Sequence, residues 1–195
     1  HISEWDTIAV TDMSNLFLNR SHFNDDISRW DVSGVTDMRF MLEGATCFDQ
    51  PIGNWNVAKV TDMKGMLQGA LAFNQNIGEW NVSNVTRMVA MFSGAASFNQ
   101  PLGNWKVGSV TDMRLMFNYA RSFNQPIGQW DVSGVVSMIE MFRGASSFNG
   151  DIRGWNVSSV QLMDHMFRNA TCFNQDIGHW NVGNVTVFES MFYGA

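Results

Sequence analysis

At 195 residues, 45% of them hydrophobic, the chain is long enough to bury a substantial core. Its 12 Lys and Arg against 18 Asp and Glu leave a net charge of −6, and the basic residues are scattered rather than striped, which excludes nucleic acid as the expected partner. No apolar run approaches the roughly 18 residues a membrane helix needs, and no charged-then-apolar leader opens the chain.

All eight tryptophans, Trp5, Trp30, Trp55, Trp80, Trp105, Trp130, Trp155 and Trp180, stand 25 residues apart. A fixed period of this size marks an array in which each unit covers its neighbour's apolar face, so residues 1–195 read as one continuous solenoid without internal boundaries. The chain starts at His1 without an initiator Met and stops at Ala195 within a repeat, which reads as a segment of a longer protein. Residue number modulo 25 defines columns, and the apolar ones are 2, 5, 7, 10, 13, 16, 17, 20 and 23.

In chain order, columns 2, 5, 7 and 10, as in Ile127, Trp130, Val132 and Val135, carry the two-residue alternation of a short strand. Columns 13, 16 and 17, as in Met113, Met116 and Phe117, have the spacing of a helix face. Thr11, Thr36, Thr61, Thr86, Thr111 and Thr186 precede that face as N-caps, with Asp12, Asp37, Asp62 and Asp112 at the positive helix end. Gly44, Gly69, Gly94, Gly144 and Gly194 then supply a left-handed helix terminus. Phe in column 23 and Asn or Asp in column 24 close the unit, the latter as a ladder of amides inside a bend. The predicted fold is an α/β repeat solenoid, leucine-rich-repeat-like, with one short parallel strand and one short helix per 25-residue unit and about eight units. The first unit departs from the rest at Thr7, Leu16 and Arg20, as a unit near a polar cap does.

The strand motif, as in Ile52-x-x-Trp55-x-Val57-x-x-Val60, resembles a leucine-rich repeat with Trp for the middle leucine. More narrowly, FNQPIGNW, WNVSNVT and TDMRLMF resemble the 25-residue repeats of BspA-like surface proteins, a family first described as a mycoplasma domain of unknown function. That resemblance covers essentially the whole chain. It implies a cell-surface or secreted, extracellular solenoid with an adhesive role, and it implies no catalytic site.

Trp in column 5 shares a strand side with Val in column 7, so the tryptophans read as a core ladder and not as a sugar-stacking platform. Burying an indole of about 200 Å² at roughly 25 cal/mol/Å² is on the order of 5 kcal/mol gross per unit, enough to explain the recurrence. Columns 4 and 6 then point outward on a concave parallel sheet. Column 4 varies through Glu4, Arg29, Asn54, Glu79, Asn104, Gln129 and His179, with Gly154 between the last two. Column 6 is short and polar, with Asp31, Asn56, Asn81, Lys106, Asp131, Asn156 and Asn181. These are the candidate binding residues for a protein or glycan partner, although solvated surface positions vary in the same way.

Enzymatic readings fare poorly, because His1, His22, His165 and His179 fall far apart in the array or in different columns and no phosphate loop or catalytic pair recurs. No catalytic residue, metal site or cofactor is expected; Asp6 and Asp31 are the only acidic neighbours in column 6, too few for a calcium site. Cys47 and Cys172 share a column five repeats apart, on the order of 24 Å at a rise of about 4.8 Å per unit, and read as small buried thiols that cannot pair. Among the sequons, Asn84 and Asn184 sit on the loop entering the predicted helix and are the candidate N-glycosylation sites. A structural rod or fibre, assembling end to end or side by side as a homo-oligomer, is the alternative to a recognition or adhesion module.

Overall fold

The computed structural model describes residues 1–195 as a stack of 25-residue coils with almost no regular secondary structure. A 3-10 turn at Ile2–Glu4 is the one helical segment. Strands are absent, and parallel pairing occurs only as isolated bridges such as Asp12 to Asp37 and Asp37 to Asp62. The expected strand and helix in every unit, and with them the leucine-rich-repeat architecture and its concave sheet, are therefore not what the chain adopts.

The segment read as a helix is a ladder of tight turns. In the third coil the N–H groups of Met63, Gly65, Leu67 and Gly69 donate forward to the carbonyls of Arg87, Val89, Met91 and Ser93, at 2.7–3.0 Å. Alternate N–H groups, those of Met66, Gln68 and Ala70, donate back to Met63, Gly65 and Leu67 within the coil at 3.1 Å. Positive φ at columns 15 and 19, here 60° at Gly65 and 69° at Gly69, turns every second peptide so that odd amides run along the stack and even ones close turns. A run of about eight residues is too short to hold a helix by itself. Donating along the stack instead satisfies each backbone group, which a buried segment requires.

The helix punctuation takes on other work. The hydroxyls of Thr36, Thr61 and Thr86 donate to the carbonyls of Thr11, Thr36 and Thr61 in the preceding coil, and cap nothing. Asp12, Asp37, Asp62 and Asp112 accept the N–H two residues ahead, an Asx turn. Column 19 does adopt the left-handed conformation expected of its glycines, but inside the ladder.

Columns 5 and 7 are buried as their alternation indicates, yet their backbone also turns, with Trp30 N–H donating to Ile27 and Val35 N–H to Val32. Here the tryptophan side chain joins the coils. The indole Nε1–H of Trp30, Trp55, Trp80, Trp105, Trp130 and Trp155 donates to the column 2 carbonyl of the previous coil at 2.8–3.2 Å. Those six rings are no more than 4% exposed, whereas Trp180 is 8% and Trp5 57% exposed. Trp5 and Trp30, and each consecutive pair from Trp55 to Trp180, lie 6.0–6.5 Å apart and near parallel. Phenylalanine stacks in columns 17 and 23 fill the space beside them, meeting within a coil at about the closest ring spacing, as in Phe117 and Phe123 at 4.0 Å.

The bend is closed by the column 24 ladder: Asp49, Asn74, Asn99, Asn124, Asn149 and Asn174 each donate N–H to the side-chain oxygen of the preceding coil. The departures of the first coil lie in mixed surroundings. Trp5, Ile8 and Leu16 are exposed there, while Thr7 is buried and donates to the Asp31 carbonyl.

Candidate functional site

The column 4 residues Glu4, Arg29, Asn54, Glu79, Asn104, Gln129 and His179 are all exposed, and so are Asp31, Asn56, Asn81, Lys106, Asp131, Asn156 and Asn181 in column 6. They decorate turns and not a sheet. The backbone explains column 6: the side-chain oxygens of Asp31, Asn56, Asn81, Asp131, Asn156 and Asn181 accept the N–H two residues ahead. These short polar side chains are thus fixed by the turns they make, and Lys106, followed two residues later by Gly108, is the exception. Hydrogen bonds from Ser33 and Ser133, side chain before backbone, hold the Asp31 and Asp131 carboxyls below the usual carboxylate range.

Column 4 side chains make no such turn; Glu4 Oε1 accepts the Ser3 hydroxyl at 3.2 Å and His179 Nε2 lies 2.8 Å from the Arg153 carbonyl oxygen. The geometry brings Glu79 and Asn104 together on one shallow depression of about 180 Å³, walled by Asn76, Pro101 and Pro126. Its floor is Gly78 and Gly103. A Cβ at Gly78 would stand 2.6 Å from the Pro101 carbonyl oxygen, so the close approach of adjacent coils beneath the depression requires glycine. Arg29 and Gln129 project from other coils of the same column.

The sequon amides are not free side chains: Asn84 Nδ2 donates to the Ala58 carbonyl and Asn184 Nδ2 to that of Ser158, at 2.8 and 2.7 Å, although both residues are exposed. Cys47 and Cys172 are free and exposed, contrary to the buried thiols expected of them. No three His, Cys, Asp or Glu side chains converge as metal ligands, and no helix is long and apolar enough to cross a membrane.

A second decorated face escaped the sequence reading because columns 12 and 14 were assigned to a helix. Asp62 there meets Arg87 Nη1 at 3.2 Å and Arg39 Nε at 3.8 Å, and Arg39 also pairs with Asp37 at 2.8 Å. Arg114 chelates Asp112 within its own coil. The signal was present as column 14, which changes from Arg39 and Lys64 through Val89 and Arg114 to Asp164 and Glu189.

Comparison with curated proteins and with solved structures returns no match. A family model matches the chain three times in overlapping spans, residues 1–105, 48–138 and 88–195, which together cover its whole length. The chain is a repeat protein that belongs to the family described as "Mycoplasma protein of unknown function, DUF285".

Proposed function

We propose that this is a non-enzymatic recognition or adhesion module, extracellular or held at a cell surface, that presents column 4 to a protein or glycan. The observation that carries this reading is the contrast between columns. Columns 5, 7, 13 and 16 keep nearly one residue type and are buried in the interior coils, while column 4 is exposed in every coil and ranges over acid, base, amide and imidazole. A scaffold that fixes its interior and frees one outward column suits recognition. The resemblance to BspA-like surface proteins supports the same reading and the extracellular location. The binding face is the turn surface around Glu79 and Asn104, with Arg29 and Gln129 on its flanks, in place of the concave sheet.

The test is binding of the labelled chain to arrays of glycans and extracellular-matrix proteins, with Glu79, Asn104 and Gln129 replaced together by Ala. Any ligand found should be lost by the triple variant with its melting curve nearly unchanged, and a ligand retained in full overturns the proposal.

The alternative reading is a structural rod. In the eighth coil the N–H groups of Phe188, Ser190, Phe192 and Gly194 have no acceptor, and in the first coil the carbonyls of Asp12, Ser14, Leu16 and Leu18 have no donor. These are the two halves of one ladder junction. Phe188, Phe192 and Tyr193 also leave apolar surface exposed at that end. A further coil of the same pattern fits there, and electron microscopy showing long fibres with a regular axial repeat would support a rod, whereas monodisperse particles without end-to-end contact would sink it.

A further inference from the structure

The ladder between coils is interrupted at one junction. In column 11 each N–H donates to the preceding coil's carbonyl, from Thr36 to Thr11, Thr61 to Thr36 and Thr86 to Thr61, then from Val136 to Thr111, Gln161 to Val136 and Thr186 to Gln161. Between Thr86 and Thr111 that bond is missing. The column 12 bridges likewise run from Asp12 to Arg87 and resume only at Asp112. Met88 N–H, unlike those of Met63 and Met113, reaches no carbonyl of the next coil, and the Thr111 hydroxyl lacks the acceptor that its counterparts in the earlier coils find. Two residues beyond, the ladder is whole again, with Ala90 N–H donating to Arg114 at 2.9 Å.

Charge placement accounts for the opening. Arg87 is the only basic residue of column 12, and its guanidinium leans back to Asp62 at 3.2 Å. On the other side Arg114 holds Asp112 at 2.6–2.9 Å within its own coil. Each charged side chain bonds away from the seam, and the gap is bounded by the Ser109 hydroxyl donating to the Ser83 carbonyl at 2.9 Å on one side and Ala90 N–H donating to Arg114 on the other. What remains is a cleft of about 290 Å³ lined by Lys64, Thr86, Arg87, Thr111, Asp112 and Arg114. The volume is close to the lower end for ligand pockets. Lys64 makes no ion pair; its ammonium stands 5.3 Å from the Phe40 ring centroid.

We propose that this seam binds an oxyanion, the carboxylate, sulfate or phosphate group of a larger ligand or the free ion. Three cations line it against one carboxylate, Asp112, which Arg114 engages; Arg87 is paired with Asp62 outside the lining, so the Lys64 charge is left over. The Thr111 hydroxyl and the unpaired Thr111 N–H add donors, the Thr86 hydroxyl being committed to the Thr61 carbonyl, and charged donors gathered around a concavity are what oxyanions select. With a net charge of −6 on the whole chain, attraction comes from these local contacts and weakens with salt. The seam uses none of the column 4 side chains, so it stands independently of the recognition face.

The test is an NMR titration of the 195-residue chain with sodium sulfate, sodium phosphate and a sulfated oligosaccharide, at constant ionic strength set with chloride. Sulfate or phosphate should shift the Thr111 amide saturably. Lys64→Ala should weaken that binding about tenfold, as loss of one charged hydrogen bond does. Arg87→Asp, which restores the usual residue of its column, should close the seam and abolish binding. Should that variant fail to fold, Thr111→Val, exposed and nearly isosteric, replaces it with an expected loss of affinity. Tighter binding of the oligosaccharide than of sulfate at the same amide assigns the anion to a glycan, and equal affinity assigns it to the free ion. Shifts that never saturate, or saturable binding unchanged in these variants, overturn the proposal.

Discussion

Trp105 lies between Trp80 and Trp130, with ring centroids 6.4 and 6.5 Å away, and its Nε1–H donates to the buried Ile77 carbonyl at 3.1 Å. Its two contributions can be separated. Trp105→Ala opens a cavity in the middle of the stack and should cost about 3–5 kcal/mol by urea denaturation. Trp105→Phe keeps an aromatic ring but removes the indole donor, leaving the Ile77 carbonyl with the Trp80 N–H alone, and should still cost about 0.5–1.5 kcal/mol. A cost near zero for the phenylalanine variant would show that the indole bond is not holding the coils. Aspartates supply a second residue-scale prediction. Asp12, Asp26 and Asp31 are held below the ordinary carboxylate value of 3.8 by hydrogen bonds from Ser14, Ser28 and Ser33, and Asp151 is lowered to about 2 chiefly by the Arg153 side chain. Groups with depressed folded values stabilise the fold above their unfolded value and lose that contribution as protons bind. Melting temperature should therefore hold steady down to about pH 4 and fall between there and about pH 2, with Glu43, raised by burial, opposing weakly. A melting temperature that rises through that window would contradict the Asx-turn account. The buried columns were legible in the sequence because periodicity marks what recurs regardless of backbone. The role of column 6 was missed although its Asp-x-Ser and Asn-x-Ser spacing is itself a turn signal.

At the scale of the element, Met113, Met116 and Phe117 face the core as a helix stripe would, because overlapping turns of three residues return side chains to one side at the same spacing. That pattern cannot distinguish the two backbones, and the threonine, aspartate and glycine that punctuate a helix also punctuate this ladder. Only the hydrogen bonds to the next coil separate them, and no residue type announces those. Glycine substitutions probe the ladder directly. Gly69 has φ 69°, and a Cβ there would meet Gly44 backbone atoms no closer than 3.6 Å, so Gly69→Ala isolates the cost of left-handed backbone at about 1 kcal/mol. At Gly53 the φ is unexceptional, but a Cβ would lie 2.3 Å from the Asn76 carbonyl oxygen. Gly53→Ala should cost more than Gly69→Ala in a denaturation series, since two coils must move apart. The reverse order would mean that spacing between coils is not set by this contact.

Across the whole molecule, stacking makes each coil depend on its neighbours, and the ends show it: Trp5 is exposed in the first coil, and Phe188, Phe192 and Tyr193 are exposed in the last. The central claim is that amides of one coil donate to carbonyls of the next, with no helix between. Through-hydrogen-bond scalar couplings in the labelled chain test it most directly. Couplings should join the amide nitrogens of Met63, Gly65 and Leu67 to the carbonyl carbons of Arg87, Val89 and Met91, each 24 residues ahead. Couplings from those same amides to carbonyls four residues behind, as an α-helix makes, would contradict the account.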